Sequence, residues 1–476
     1  MKILLINPPI RENDSPRHIP HGTAILANVL RNKGHQVLFL DINGNRYSNE
    51  KVISIIKSYD FDAVGIGGLI PVYRYLKWLS GTIKEIKPKM PIIAGGSVAF
   101  SIPEIVLNKT KVDIVCNQEG EETLCDILEA LESKADLSNV KGIWFKKDNQ
   151  IIQTEPRPLI SDLDSIPLPA WDLLPMEVYL NNPKVGAGRD IDFISSRGCP
   201  YRCTFCFRAF GRGYRAHSVG YIMEALKYLK KHYQIDFVSF QDDEFMADRN
   251  RVLEFCESFR KSGLDIKWSC TGRVNLISED LLKAMKDSGC ISVSYGIESG
   301  SQKILNSIKK DVDIEKAKEA ILISQKLKIR HPTSFILGTP EETYETAFET
   351  VKFCLDVNVP LQALMFAVPY PGTDLYKDAK NRGIINSENE EDFILSLGDA
   401  VDFTINLTKK FTDQELVSLK EKMIEEVRKG FKPMPKEEIE KYYKELYGEH
   451  LWQKYIDNLK DPVFKKHREL HGFNEL

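Results

Sequence analysis

Three cysteines in one short segment form the strongest chemical signal in this sequence. Cys199, Cys203 and Cys206 lie in RGCPYRCTFCF (197–207) with the spacing C-x3-C-x2-C. A loop with this spacing can curl around one metal cluster and present three thiolates to it. A cubane iron–sulfur cluster held by three thiolates leaves one iron open to another ligand. The segment therefore predicts a [4Fe–4S] cluster with one open iron.

A structural zinc site is the alternative for these cysteines. Such a site normally closes with four ligands, usually as separated Cys or His pairs. No fourth ligand follows at close spacing, because the nearest downstream histidine is His217. The remaining cysteines are scattered through apolar segments, where we expect small buried side chains. They are Cys116, Cys125, Cys256, Cys270, Cys290 and Cys354.

The cysteine segment resembles the signature of the radical S-adenosylmethionine (SAM) superfamily. This resemblance implies a partial βα barrel in which the open iron binds the amino and carboxylate groups of SAM. The reduced cluster then cleaves SAM to methionine and a 5′-deoxyadenosyl radical, which abstracts hydrogen from a substrate. An electron donor such as flavodoxin or ferredoxin would supply the reduction. The further segments that carry the resemblance, to about residue 375, are QDDEF (241–245), GIESGS (296–301), FILGTPEET (335–343) and PYPGT (369–373).

The same resemblance implies residues that contact SAM. Phe205, before the last cysteine, would lie against the adenine. Asp242 and Asp243 would help to hold the methionine part, and Glu298 would contact the cofactor, since strand-end carboxylates can meet an ammonium and ribose hydroxyls. Arg273 is a further candidate, for a carboxylate or a cobalamin side chain. The alternatives are helix capping for the acids and a structural ion pair for Arg273; no residue is assigned a catalytic role.

The elements that must position these residues form two βα series, which predicts the α/β class. In residues 1–150, apolar strands alternate with amphipathic helices, as in a Rossmann-like, doubly wound parallel sheet. Six further units in 191–385, beginning with a strand at Phe193–Ser196, predict a partial (β/α)6 barrel with its chemistry at the strand C-termini. The proline-rich segment 151–190 is interpreted as an ordered linker. Residues 386–476 predict a helical cap on the barrel, with substrate binding as the alternative role.

The first series resembles the cobalamin-binding domains that precede many radical SAM barrels. In an open α/β sheet, a ligand lies beyond the carboxyl ends of the strands, and glycines let the backbone approach it closely. The carrying segments are HGTAILANVLRNKGHQVLFLD (21–41), GIGG (65–68), AGGS (94–97) and NQEGEE (117–122). The residues predicted to bind this cofactor are Gly67, Gly68, Gly95, Gly96, Ser97, Glu119 and Gly120.

The first loop departs from the methionine synthase type of cobalamin domain. That type carries an Asp-x-His-x-x-Gly motif whose histidine ligates cobalt from below, and NPPIRENDSPRHIPHG (7–22) lacks it. His18, His21, Tyr73 and Tyr75 are the candidates for such a ligand. The alternatives are cobalt without a protein ligand below it, or a domain that does not bind cobalamin. Members of the radical SAM subgroup often lack the motif and still bind cobalamin, so we expect this cofactor.

The leading functional hypothesis is a cobalamin-dependent radical SAM methyltransferase that acts on an unactivated carbon. In such chemistry one SAM methylates cob(I)alamin, a second supplies the adenosyl radical, and the substrate radical takes the methyl group from methylcobalamin. A cyclase, a ring-contraction enzyme or a carbon–carbon coupling enzyme is the alternative within this architecture. A methylthiotransferase is disfavoured, because only Cys116 and Cys125 are available for an extra cluster in the first 150 residues. A non-catalytic corrinoid carrier or sensor would have no use for the three-cysteine loop.

The composition limits the classes of partner and the cellular location that we expect for this protein. The 476 residues are 42% hydrophobic and 28% charged, as in a globular protein with sizeable cores. A net charge of −3 gives no reason to expect a nucleic-acid partner. No segment approaches the length of a membrane span, and MKILLINPPI is typical of a strand rather than a signal peptide, so we expect a cytoplasmic protein. The substrate stays open among a peptide side chain, a lipid, a tetrapyrrole and a small metabolite.

Overall fold

The fold comes from a computed structural model, which describes residues 1–10, 16, 18–181, 188–398, 400–458 and 460. Parts of the predicted first loop, linker and helical cap lie outside these residues. No helix in the described ranges is long and apolar enough to cross a membrane.

Seven strands form the N-terminal sheet: β1 (Lys2–Asn7), β2 (Gln36–Asp41), β3 (Ala63–Gly67), β4 (Ile92–Gly95), β5 (Ile114–Cys116), β6 (Ile143–Lys147) and β7 (Gln150–Gln153). Their order is β2-β1-β3-β4-β5-β6-β7. The first five pair in parallel, which confirms the predicted doubly wound sheet, and β6 and β7 add an antiparallel hairpin. This hairpin takes the sheet into the segment predicted as linker.

Helices cover both faces of this sheet, as its alternating side chains show. Leu4 and Ile6 belong to one apolar cluster, and Ile3 and Leu5 belong to a second cluster on the opposite face. Because both faces are buried, these parallel strands appear in the sequence as continuous apolar runs. The helices of this part are α1 (His21–Asn32), α2 (Ile42–Asn45), α3 (Asn49–Ser58), α4 (Tyr73–Ile86), α5 (Ser97–Phe100), α6 (Pro103–Lys109) and α7 (Glu121–Ser133).

The second sheet is the predicted partial barrel. Its strands are β8 (Asp190–Phe193), β11 (Phe237–Phe240), β12 (Lys267–Gly272), β13 (Cys290–Glu298), β14 (Thr333–Leu337) and β15 (Ala363–Phe366), and a separate two-stranded ribbon consists of β9 (Ser196–Arg197) and β10 (Arg215–Ala216). The six strands run in parallel in the order β15-β14-β13-β12-β11-β8. All chemistry-bearing loops therefore leave from the same end of the sheet.

The strand predicted at Phe193–Ser196 is wrong in its position. The first barrel strand, β8, starts at Asp190 and ends at Phe193, in register with β11. Asp190 and Asp192 are buried within this strand. Two aspartates separated by one residue in a short segment are more typical of a loop, so the sequence pattern alone does not indicate a strand here. Ser196 instead begins the ribbon strand β9.

Helices surround the second sheet and form the C-terminal region: α8 (Met176–Leu180), α9 (Val219–Tyr233), α10 (Arg249–Ser262), α11 (Glu279–Asp287), α12 (Gln302–Ser307), α13 (Ile314–Lys326), α14 (Tyr344–Asp356), α15 (Asp374–Asn381), α16 (Glu390–Ser396), α17 (Asp413–Gly430), α18 (Lys436–Tyr447) and α19 (Glu449–Asn458). Single 3₁₀ turns lie at Ile70–Val72, Leu137–Asn139, Leu163–Ser165, Trp171–Leu173 and Val274–Leu276. Trp171 is buried in the barrel core and its neighbour Ala170 in the N-terminal core, so the linker packs against both domains.

The described helices of the C-terminal region pack on both domains. Helix α16 packs on α4 of the N-terminal domain, whereas α17 packs on α14 of the barrel. Helices α18 and α19 place an aromatic cluster, including Tyr447 and Trp452, against Phe237 and Ile291 near the N-terminal ends of β11 and β13. These last helices thus close the end of the barrel opposite the cysteine loop.

Candidate active site

The cysteine loop leaves the barrel through the β9–β10 ribbon and returns to it. Gly198 has φ +83°, and a side chain there would collide with the backbone carbonyl of Gly213. Only glycine therefore lets the two ends of the loop touch. The loop is fixed further by Thr204, whose N–H donates to the carbonyl of Ile308 at 2.9 Å and whose carbonyl accepts from Leu375 N–H at 2.9 Å.

A cavity of about 510 Å³ lies between this loop and the barrel interior. Asp242 and Asp243 follow β11, Arg273 follows β12, and Glu298 ends β13, so the barrel brings side chains from three strands to it. The structure therefore gathers most of the residues that the resemblance implied for cluster and SAM. Those that line the cavity are Cys199, Cys203, Cys206, Asp242, Asp243, Arg273 and Glu298.

The two aspartates after β11 have different environments. Asp242 accepts hydrogen bonds from the Ser195 hydroxyl at 2.6 Å and from the Ser196 backbone N–H at 3.2 Å, so both of its carboxylate oxygens hold the chain ahead of the cysteines. Asp243 accepts from the Gly198 N–H at 2.9 Å through one oxygen. Burial raises the pKa of Asp243. Asp243 is therefore better placed than Asp242 to meet a ligand in the cavity.

Glu298 is held by a buried ion pair. Its Oε1 lies 2.7 Å from Lys310 Nζ, and both side chains are less than one-tenth exposed. Glu298 adopts φ +69°, and a side chain at Gly296 would collide with its carboxylate. The pair therefore sits in a strained, closely fitted corner of the cavity, and Lys310 is a functional candidate that sequence reasoning missed.

Arg273 and Phe205 both contact residues around the cavity. The Arg273 guanidinium lies 3.6 Å from the Tyr201 ring centroid, donates to Cys203 Sγ at 3.4 Å and to the carbonyl of Lys310. Arg273 thus holds the cysteine loop while also lining the cavity. Phe205 packs against the apolar cluster shared with the N-terminal domain, and its ring centroid lies 5.9 Å from Lys310 Nζ.

Glu244 is a second candidate that sequence reasoning missed. It lines the cavity directly after the two predicted aspartates, in the same QDDEF segment, and its side chain is buried. Burial raises the pKa of Glu244 to about 7, although the charges of Arg273 and Lys310 oppose this shift. The Met246 backbone N–H donates to this carboxylate at 3.1 Å. Its adjacency to Asp243 was the signal available in the sequence.

The cysteine loop fits an iron–sulfur cluster. The Cys203 and Cys206 thiols hydrogen-bond each other, which lowers the pKa of Cys203 and raises the pKa of Cys206, and burial raises the pKa of Cys199. Thiolate is the form that binds iron, and Lys310 and Arg273 favour it at Cys203. In the described ranges, no three His, Cys, Asp or Glu side chains converge on a single metal ion. The three thiols line one cavity, where they would hold the cluster.

The glycine loops of the N-terminal sheet form an open edge beside the cysteine loop. Gly67 and Gly95 are paired neighbours at the ends of β3 and β4. Apart from chain neighbours, no described heavy atom lies within 4 Å of a Cβ built on Gly95. Phe100, in the helix α5 that Ser97 begins, contacts Phe207 of the cysteine loop with ring centroids 5.5 Å apart. The end of β4 is therefore open at Gly95, on the edge of the sheet whose helix α5 contacts the cysteine loop.

Four of the other residues predicted to bind cobalamin have close contacts within the protein. Gly68 packs its backbone against Gly96, whose φ is +73°. Gly120 precedes α7 beside Leu26. Glu119 is turned towards the barrel, where its carboxylate binds two arginines.

The four candidates for a cobalt ligand have different surroundings in the structure. His18 Nδ1 lies 2.8 Å from Asp192 of β8, and the ring of His21 packs edge-on against Phe193. Burial, with the nearby Arg197, lowers the pKa of His21 to about 3. Tyr73 donates to Glu391 at 2.9 Å. Tyr75 packs against Trp78.

Valine at Gly95 and at Gly96 should have separable effects. A side chain at Gly95 would project into open space at the sheet edge, so we expect Gly95→Val to weaken cobalamin binding about tenfold or more without lowering the melting temperature. A side chain at Gly96 would overlap the Gly68 carbonyl, and its φ is unfavourable for valine, so Gly96→Val should destabilise the fold by about 1–3 kcal/mol. Cobalamin titration and thermal unfolding measure the two effects. Unchanged cobalamin affinity in Gly95→Val would contradict this placement of the site.

Family models match both halves of the chain. The model of the radical SAM superfamily matches residues 193–354, and the model of the B12 binding domain matches residues 10–128. An uncharacterised methyltransferase of Pyrococcus horikoshii is 32% identical over 426 residues, which cover 88% of this chain and 90% of the relative. The anaerobic magnesium-protoporphyrin IX monomethyl ester cyclase of Rubrivivax gelatinosus is 30% identical over 391 residues, which cover 79% of this chain and 70% of the cyclase.

A solved structure has the same fold over almost the whole chain. The radical SAM methyltransferase TsrM from Kitasatospora setae, determined with cobalamin and a [4Fe–4S] cluster bound, superimposes with a TM-score of 0.73. The match covers 98% of this chain and 99% of TsrM at 14% identity. At this identity the likeness supports the common architecture alone.

Proposed function

Since this chain belongs to the radical SAM superfamily, in the group that carries a B12-binding domain, we propose that it is a methyltransferase acting on an unactivated carbon. The chain is a cobalamin-dependent radical SAM enzyme, and the proposal concerns which reaction it performs. Its relatives include both a methyltransferase and a cyclase, so family membership leaves that choice open.

The contact between the two strand-end surfaces is the observation that carries the proposal. Phe207 directly follows the last cysteine and packs against Phe100, beyond the glycine edge of the N-terminal sheet. Gly372 of the barrel packs against Phe207 and Ser101 at the same place. Radical methylation needs two cofactors at one substrate, and a barrel cavity beside the strand ends of a B12-binding domain suits this requirement.

Residues of this chain have distinct proposed roles towards the cofactors. Cys199, Cys203 and Cys206 would hold the cluster, and Asp243 and Glu298 would face SAM. When bound, the cluster and SAM would supply hydrogen abstraction, and cobalamin would supply methyl transfer. The backbone at 95–97 would approach cobalamin. Flavodoxin or ferredoxin is the proposed class of electron donor.

The aromatic contact and the buried ion pair would protect this chemistry from water. Phe100 contacts Phe207 between the domains, and the Glu298–Lys310 ion pair lines the cavity. Excluding water prevents side reactions of reactive intermediates.

Product stoichiometry tests the proposal. Methyl transfer by this route should consume two SAM molecules per product, giving S-adenosylhomocysteine from one and 5′-deoxyadenosine with methionine from the other. We expect about equal amounts of both nucleosides when the reduced, cobalamin-loaded enzyme is given extract from a strain that lacks this chain. Mass spectrometry should also find the labelled methyl group of SAM in a product.

A cyclase or rearrangement is the second candidate, favoured by the similarity to the Rubrivivax gelatinosus cyclase. Such a reaction needs no methyl donor. Substrate turnover with 5′-deoxyadenosine but without matching S-adenosylhomocysteine would contradict methyl transfer and support this candidate. Extract from the parent strain, in which the product has already formed, is the control for uncoupled cleavage of SAM.

A further inference from the structure

Two arginines stand side by side at the base of the cysteine loop. Arg197 is the last residue of β9, Arg215 is the first of β10, and the two are paired across the antiparallel ribbon. Between them runs the whole segment that carries the three cysteines. Their side chains are only 9% and 15% exposed. Like charges opposite each other in a ribbon repel, so the closed base of the loop needs an anionic partner.

Glu119 of the N-terminal domain supplies that partner. Its Oε1 lies 2.7 Å from Arg197 Nη1 and 3.0 Å from Arg215 Nη1, and its Oε2 accepts from the Ile160 backbone N–H at 2.7 Å. A second acid, Glu121, binds the other terminal nitrogen of Arg197. Two buried acids thus balance two buried arginines, and both oxygens of Glu119 are engaged.

The charge balance between these acids and arginines affects the position of the first cysteine, because the cysteine loop closes at this point. Gly198 follows Arg197 directly and lies against Gly213, so the loop closes only while its two ends stay together. The next residue is Cys199. Removing one acid from a buried ion cluster leaves an uncompensated charge, which is strongly unfavourable. Without Glu119, the two arginines would separate or admit water, and the first cysteine would move with them.

We propose that Glu119 is a positioning residue for the iron–sulfur site, which it holds closed from the N-terminal domain through Arg197 and Arg215. The inference rests on the proposed function only in that the cysteine loop binds a cluster. It replaces the sequence-based interpretation of Glu119 as a cobalamin contact. The B12-binding domain would then complete the cluster site in addition to holding its own cofactor.

The test compares Glu119→Gln with Glu122→Gln in the full chain, reconstituted anaerobically with iron, sulfide and cobalamin. Glu122 is the matched control, since it lies close to Glu119 in the chain, in the first turn of α7, but pairs with Arg157 at the surface. We expect Glu119→Gln to lose iron to a ferrous chelator about tenfold faster than wild type. Addition of SAM should also change the electron paramagnetic resonance signal of its reduced cluster differently from that of the wild type. Glu122→Gln should behave as wild type, and cobalamin affinity should stay within about twofold in both.

A third variant separates positioning from general damage to the fold. Glu119→Gln combined with Arg215→Gln leaves Arg197 paired with Glu121 and restores charge balance, so it should recover much of the iron retention. Wild-type iron retention in Glu119→Gln, or no recovery in the double variant, would overturn the inference. Loss of cobalamin with an unchanged cluster would also overturn it, by assigning Glu119 to cobalamin. A wild-type chain that takes up no cluster would refute the proposed function itself.

Discussion

Replacing Cys199, Cys203 and Cys206 together by alanine should remove the brown iron–sulfur chromophore and reduce SAM cleavage below detection. All three thiols line one cavity on a single fixed loop. A cubane needs these thiolates to stay bound, and without the cluster there is no reductant for the sulfonium of SAM. Iron and sulfide content, absorbance and 5′-deoxyadenosine production measure the loss.

Cys125→Ala is the matched control for this variant. Cys125 is a half-buried cysteine of α7 that lies outside the cysteine loop, and its thiol donates to the Glu121 carbonyl. It should retain wild-type iron and activity. A cubane signal that persists in the triple variant, or stoichiometric zinc in place of iron in the wild type, would refute the assignment of these ligands.

Replacing Lys310 by methionine should lower the free energy of unfolding by about 3–5 kcal/mol. Lys310 and Glu298 form a buried ion pair, and removal of one partner leaves the other charge uncompensated in a poorly solvated site. The same variant should shift Arg273, which donates to the Lys310 carbonyl and to Cys203. Anaerobic urea denaturation gives the stability, and iron content reports the effect on the cysteine loop.

Lys309→Met controls for the loss of a lysine at this turn. Lys309 is exposed and directly precedes Lys310, so its replacement should change the stability by less than about 0.5 kcal/mol. Replacing both Lys310 by Met and Glu298 by Gln removes both charges and should recover part of the lost stability. Equal stabilities for Lys310→Met and Lys309→Met would show that the buried pair contributes nothing to the fold.

Local patterns in the sequence were sufficient for the α/β class, the two βα series and the three-cysteine loop. Apolar strands covered by helices are recognisable without knowledge of their partners, because each strand is buried on both faces. The cysteine spacing is equally local, since one short loop holds all three thiols. The same reasoning misplaced the first barrel strand, where Asp190 and Asp192 are buried within β8.

The partners of charged side chains depended on tertiary structure. Glu119 precedes Arg197 by 78 residues and Arg215 by 96, so no local pattern shows that the three meet. Lys310 had no motif of its own and became visible only when the turn after α12 brought it against Glu298. A carboxylate at a strand end suits a ligand and a buried arginine equally well. A buried charge requires a partner, because its desolvation is unfavourable. Whether that partner is a ligand or an arginine depends on how one domain packs on the other.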